Sequence, residues 1–248
     1  TAAKALRENR EASITVIEME DYISFGACGL PYYLGGQFED SNEMFARTVK
    51  QMQDAGLKIL VRHQAMSVDV KSKTVSVKNL NDNSLVELQY DRLMVATGAT
   101  PIMPPIEHTD ASNVYTMTKL YNVQAMKDRL DSYETIGVIG GGFIGVEVAE
   151  QLAQLGKKVV LIHSPSRLIN KPFDEEFSAK IQESLEEVGI DVRTGERVSS
   201  FEMKDNAVSG IQTQSSFTKV DAVVVSIGFK PNTDFLEGQV ETLANGAI

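Results

Sequence analysis

Residues 140–145 read Gly-Gly-Gly-Phe-Ile-Gly, and they follow an apolar run at 136–139. A helical pattern leaves them at 146–155. Strand, Gly-x-Gly-x-x-Gly and helix in that order restrict this stretch to a parallel α/β unit. Gly140 permits the tight turn, Gly142 lets backbone N–H groups approach a pyrophosphate, and Gly145 lets the helix pack close to the strand. The ligand implied is a dinucleotide. The alternative is a glycine-rich turn without a ligand.

The 248 residues suffice for one large α/β domain or two ordinary ones. A formal net charge of −10 argues against a nucleic-acid partner. No apolar run is long enough to span a bilayer, and no signal peptide is visible. One cysteine excludes an internal disulfide framework and fits a reducing, cytoplasmic setting. Both ends read as interrupted elements, a helix already under way at Thr1 and the entry to a strand at Ile248.

The coarse pattern predicts helix over 1–11 and a buried strand over 13–18 that ends on Glu18. A short helix over 31–34 follows, closed by Gly35 and Gly36. A longer one is expected over 44–55, capped by Ser41 or Asn42 and stopped at Gly56. Strands are expected at 57–61 and 93–96, with an antiparallel meander over 66–70, 74–78 and 86–90 between them. Prolines at 101, 104 and 105 mark a crossing segment. Beyond it come helix 119–130, strand 136–139, helix 143–155, strand 158–162 and helix 173–188, whose Phe173, Phe177, Ile181, Leu185 and Val188 share one face. Strands follow at 190–193, 197–203, 207–213 and 222–227. Alternating helices and buried strands give a three-layer α/β fold with two related Rossmann-like nucleotide domains, each a parallel sheet with a small meander. The expected boundaries are 1–117, 118–231 and a return segment at 232–248.

Cys28 precedes Pro31, a residue favoured at the first position of a helix. A helix N-terminus there favours a thiolate. Glycines at 26 and 29 leave the backbone uncrowded for a bulky ring. An inert, buried cysteine is the competing reading.

The segment 24–33, Ser-Phe-Gly-Ala-Cys-Gly-Leu-Pro-Tyr-Tyr, resembles the single-cysteine group of pyridine nucleotide-disulfide oxidoreductases. That group holds coenzyme A disulfide reductases, water-forming NADH oxidases and NADH peroxidases. The resemblance extends through Glu18, 96–101, the glycine loop and 227–233, Ile-Gly-Phe-Lys-Pro-Asn-Thr. It implies bound FAD, a second domain for NADPH or NADH, and a homodimer formed by a further C-terminal domain. A flavin glycine loop ahead of Thr1 and a second flavin motif after Ile248 are also implied.

By this resemblance Cys28 is the catalytic redox residue and Glu18 holds the adenosine ribose of FAD. Thr97 and Gly98 pass near the flavin, and Ser24, Ala65 and Gly228 are further cofactor positions. Glu147 lies near the nicotinamide ribose, beside Ile144. Phe143 gates the flavin face or packs in the core. Arg7 and Ser24 resemble positions that contact coenzyme A. Ala27 stands where the reductases usually carry Asn, which keeps the oxidase reading open.

The strand at 158–162 runs into His163, Ser164, Pro165, Ser166 and Arg167 instead of an acid. His163, Ser164 and Arg167 therefore suit a 2′-phosphate, and the pattern leans to NADPH or dual use. The expected acceptor is coenzyme A disulfide, with oxygen or peroxide as the alternative. A non-catalytic NAD(P)H-binding fragment is the reading from another class.

Overall fold

The computed structural model describes residues 1–236 and 238–248, and they divide into two compact units. One comprises Thr1–Gly26, Asn42–Thr100 and Lys230–Ile248; the other comprises Ala27–Ser41 and Pro101–Phe229. The sequence pattern draws its boundary at 117–118, whereas these units divide at 100–101. It also assigns the cysteine segment to the first domain, whereas Ala27–Ser41 packs with the second unit.

In the second unit five parallel strands lie in the order Asp191–Thr194, Lys158–His163, Thr135–Ile139, Ala222–Val225 and Val114–Tyr115. The chain enters at the edge strand Val114–Tyr115, crosses to Thr135–Ile139, winds outward through Lys158–His163 to Asp191–Thr194 and returns as Ala222–Val225 on the opposite side of Thr135–Ile139. The order therefore reverses between Thr135–Ile139 and Ala222–Val225. In open α/β sheets a ligand crevice forms at such a reversal, outside the carboxyl ends of the strands.

An antiparallel meander of Val198–Lys204, Ala207–Thr213 and Phe217–Lys219 covers the sheet. Ile139, Val160, Ile162, Phe201, Val208, Ile211, Val223 and Val225 fill the space between. Asn113 ties the layers together. Its Nδ2 donates to the carbonyls of Val208 at 2.7 Å and Asp221 at 2.8 Å, and its Oδ1 accepts from Val208 N at 2.9 Å. Helices Phe143–Gln154 and Glu175–Glu187 form the remaining layer. Strands Val114–Tyr115 and Phe217–Lys219 are too short to register as periodic runs, and the sequence reading omits them.

Helix Glu175–Glu187 is capped by Asp174, whose Oδ1 accepts from Phe177 N at 3.1 Å. Only Leu185 of its five-residue apolar face is buried. Phe173 and Phe177 instead continue a ring row begun by Phe143, with centroids 6.0 Å apart at each step.

The first unit holds a two-stranded parallel sheet, Thr15–Ile17 with Lys58–Leu60. It also contains the expected meander, as His63–Asp69, Thr74–Asn79 and Leu85–Gln89. Val68, Val75, Val77 and Leu236 form its core.

Two expectations fail here. The helix over 44–55 is replaced by a 3-10 turn at Ser41–Met44 and a helix confined to Val49–Asp54. Residues 44–46 are instead drawn out against 24–26: Gly26 N donates to Met44 O at 2.7 Å and Ala46 N to Ser24 O at 3.0 Å. Rings of Tyr22, Phe25 and Phe45, 5.0–5.5 Å apart, seal that pairing. The cap moves to Thr48, whose hydroxyl accepts from Gln51 N while the Gln51 side chain accepts from Thr48 N, a reciprocal capping box.

The second failure is the strand at 93–96, which is irregular, with Met94 66% exposed. An apolar run becomes a strand only where a neighbour supplies the ladder. The parallel sheet of this unit has two strands among the described residues, and neither pairs with 93–96.

Candidate functional site

The glycine loop sits at the reversal point. Gly140 has φ +111°, and a β-carbon there would stand 2.3 Å from Ser226 O. Its N–H donates to Ile162 O at 2.8 Å, and its carbonyl accepts from Ser226 Oγ at 3.1 Å. A β-carbon on Gly145 would meet Gly140 O at 1.7 Å, so the helix axis lies as close to the loop as bare backbone allows. Gly142 differs. It is the N-cap of Phe143–Gln154, and a β-carbon there would meet nothing within 4 Å. The first and third glycines are thus demanded by the protein's own packing. The second opens onto free space at the positive end of a twelve-residue helix, which is where an anion binds.

His163 ends the neighbouring strand. Its Nδ1 accepts from Gly141 N at 3.0 Å, which puts the ring proton on Nε2. That Nε2 is buried and reaches no hydrogen-bond partner among the described residues. Burial holds the imidazole below its ordinary pKa; the Asn170 side chain and the Arg167 backbone counter this in part. The geometry therefore uses His163 as a neutral brace for the glycine loop.

The loop closes by Ile169 N donating to Gly141 O at 2.8 Å, with Ile169 at φ +45°. A β-branched residue in the left-handed region is strained. Arg167 is half-buried and its Nη2 reaches Asn170 O at 3.5 Å. Ser164 is exposed. Among the described residues, no carboxylate pairs with Arg167, so its charge is available to an incoming anion.

Along the helix, Phe143 is exposed and meets Phe173 edge-on. Ile144 and Glu147 are half-buried. Burial, and next the Glu150 carboxylate, push the Glu147 carboxyl above the ordinary glutamate value. Gly228, at φ +125°, lies beyond Ser226, and its carbonyl accepts from Ile102 N at 2.9 Å.

Cys28 occupies the same unit as this loop. It is exposed, in a 3-10 turn at Ala27–Gly29 that leads into Leu30–Leu34, with Pro31 in the first helical turn. Leu30, Pro31, Tyr33 and Leu34 are buried, so the short helix is anchored while Cys28 ahead of it stays exposed.

The remaining candidates lie in the first unit. Glu18 follows Thr15–Ile17, half-buried, with Oε1 accepting from Glu20 N at 3.0 Å. Gly98 turns at φ +67° into open space. Thr97 Oγ1 donates to Asn232 O at 2.6 Å, Asn232 Nδ2 donates to Thr97 O at 3.0 Å, and Thr100 Oγ1 donates to Asn232 Oδ1 at 2.7 Å. Asn232, which the sequence shows only as part of a motif, thus shapes the Thr97–Gly98 turn. Ala65 sits at a strand irregularity against the meander core. Ser24 has φ +55°, and Arg7 is exposed in the last turn of Ala2–Glu8. Ser226 has no sequence signal at all, because it meets the glycine loop from 86 residues away.

The family described as pyridine nucleotide-disulphide oxidoreductase matches residues 1–248. An NADH oxidase of Enterococcus faecalis is 32% identical over 250 residues, covering 100% of this chain and 56% of its own length. The chain therefore spans about half the length of such relatives. A water-forming NADH oxidase from Lactobacillus brevis, bound to NADH, superposes with a TM-score of 0.95 at 34% identity, over 100% of this chain and 55% of that one. Reduced CoADR-RHD of Bacillus anthracis, a coenzyme A disulfide reductase, gives 0.93 at 29% identity, over 99% and 44%. Among the described residues no helix is long and apolar enough to cross a membrane.

Proposed function

The chain belongs to the pyridine nucleotide-disulphide oxidoreductase family, and from that premise we propose that it is the nucleotide- and cysteine-bearing part of a flavoprotein that oxidises NAD(P)H through Cys28. The observation that carries this reading is the glycine loop: two glycines closed by the protein's own atoms and one left open at a helix N-terminus. Backbone N–H groups at Gly142 and Phe143 would hold the pyrophosphate. Glu147, whose carboxyl burial and the Glu150 carboxylate push above the ordinary glutamate value, lies one turn along, as a partner for a ribose hydroxyl. Glu18, Thr97 and Gly98 are the flavin-facing residues of the first unit, where a held carboxylate and an open turn fit a ribose and a ring. The flavin and nicotinamide, when bound, supply hydride and two-electron chemistry.

Oxygen is the acceptor that relatives' names favour, and it replaces coenzyme A disulfide as the first reading. Two electrons from a first NAD(P)H, with two protons, reduce oxygen to peroxide; Cys28 then cleaves the O–O bond of peroxide, takes one oxygen as sulfenic acid and releases water. Two electrons and two protons, delivered from NAD(P)H and solvent, restore the thiol and release a second water. The disulfide reading keeps support from the reductase neighbour. There the Cys28 thiolate attacks a sulfur of coenzyme A disulfide, expelling one thiolate, and two electrons free the second coenzyme A. Either route needs one protein sulfur, and the chain has one cysteine.

A strand ending on neutral His163 presents no carboxylate to a 2′-phosphate, and Arg167 offers a cation. This supports NADPH use alongside NADH. Steady-state turnover of the intact protein with oxygen, peroxide and coenzyme A disulfide, each with both nucleotides, tests the reading. Absence of turnover with all three acceptors, in a protein that still binds NADPH, would leave only the non-catalytic binding module.

A further inference from the structure

Gly35 has φ −70°, a conformation open to any residue, so its backbone does not require glycine. Its surroundings do. A β-carbon there would stand 2.2 Å from Gln151 Oε1 and 3.0 Å from both Cβ and Cδ of the same side chain. Gln151 is 4% exposed and sits in Phe143–Gln154, the helix whose other end is the glycine loop. Gln37 Nε2 donates to Gln151 Oε1 at 3.3 Å.

A second tie comes from helix Leu120–Lys127. Lys127 Nζ donates to Tyr33 O at 2.8 Å, lies 4.6 Å from the Tyr33 ring centroid and stands 3.6 Å from Glu39 Oε2. These contacts fasten both ends of the segment that follows Cys28. Gly142 and Gln151 are nine residues apart on one helix, about 13.5 Å along a rigid rod.

We propose that Gly35 and Gln151 are positioning residues that clamp the segment following Cys28 to the glycine-loop helix, with Lys127 fastening the same segment to Leu120–Lys127, so that dinucleotide binding at 140–145 sets the presentation of the sulfur. This rests on the reading of Cys28 as the redox sulfur and of 140–145 as the nucleotide seat. The clamp explains why Ala27–Ser41 folds with a loop more than a hundred residues away.

The test is the rate of Cys28 alkylation by iodoacetamide in the thiol-reduced holoenzyme, followed by mass spectrometry of its peptide across pH, with and without saturating NADP+, which fills the seat without delivering electrons. In the wild type NADP+ changes this rate about fivefold or more, the lower end of ordinary coupling between sites. Gly35→Ala abolishes the change, and Gln151→Ala, which removes the amide that Gly35 packs on and Gln37 donates to, abolishes it too. Shielding of the thiol by the ligand itself would persist in Gly35→Ala, and that result overturns the proposal. So does a wild type without coupling, or a Gln151→Ala variant that couples like the wild type. Where Gly35→Ala does not fold, Gln151→Ala, which adds no volume, carries the expectation and the refutation alone. The alkylation readout does not depend on turnover, so failure of the redox assignment would show separately in acceptor assays.

Discussion

Gly142→Ala separates room kept for a ligand from room required by the fold. At Gly142 the backbone has φ −83° and ψ −174°, extended geometry that alanine adopts without strain. Its new β-carbon meets no protein atom within 4 Å. Alanine is a poorer N-cap than glycine, but it also narrows the unfolded ensemble, so stability should move by less than about 1 kcal/mol. The bound pyrophosphate is affected far more. A β-carbon in its seat displaces it from at least one charge-assisted N–H bond, each worth about 1.5–3 kcal/mol. At about 1.4 kcal/mol per tenfold, the Kd for NAD(P)H rises about 10- to 150-fold. Gly145→Ala is the opposite control: its β-carbon would fall 1.7 Å from Gly140 O. Overpacking of that kind costs about 1–3 kcal/mol and lowers the melting temperature directly. Fluorescence titration with NADPH and a thermal melt of both holoenzyme variants give the comparison. A Gly142→Ala protein that binds nucleotide like the wild type would refute the placement of the pyrophosphate.

His163 is held below its ordinary pKa by burial. Below the unfolded value of about 6.5 the unfolded chain binds more protons, so stability falls as the pH drops through that value and levels off below the folded pKa. Protonation also removes the acceptor for Gly141 N–H. Urea midpoints measured from pH 7.5 to 5 should decline in the wild type, with a smaller decline in His163→Asn; identical slopes would contradict the neutral brace. Arg167→Ala should weaken NADPH by about 1.5–3 kcal/mol, roughly 10- to 150-fold, and leave NADH nearly unchanged, read as the ratio of kcat/KM values. Equal losses for both nucleotides would place Arg167 outside the 2′ position.

The second unit was largely legible because its strands are buried on both faces and its helices end at glycines. Gly156 and Gly189, both at positive φ, stop helices where the pattern says they should. The glycine loop was legible because each glycine answers a local geometric demand. The first unit was harder to read. Residues 44–55 carry helical periodicity, yet the antiparallel contact of 44–46 with 24–26 outcompetes it, and nothing in the local sequence announces that pairing. The run at 93–96 is apolar enough for a strand, but a strand is a property of its neighbours.

Within the site, Ser226, Gln151 and the Nδ1 acceptor on Gly141 act across long sequence separations and leave no spacing to detect. His163 illustrates the limit. Its position after a strand suits a phosphate ligand, yet its Nδ1 already accepts from Gly141 N in the loop.

Cys28→Ser in the intact flavoprotein asks whether the sulfur carries the chemistry, with NADPH oxidation, hydrogen peroxide and coenzyme A release measured side by side. Coenzyme A disulfide turnover should fall to background, and oxygen reduction should stop at peroxide instead of water. Water as the sole product, or undiminished disulfide turnover, would contradict it.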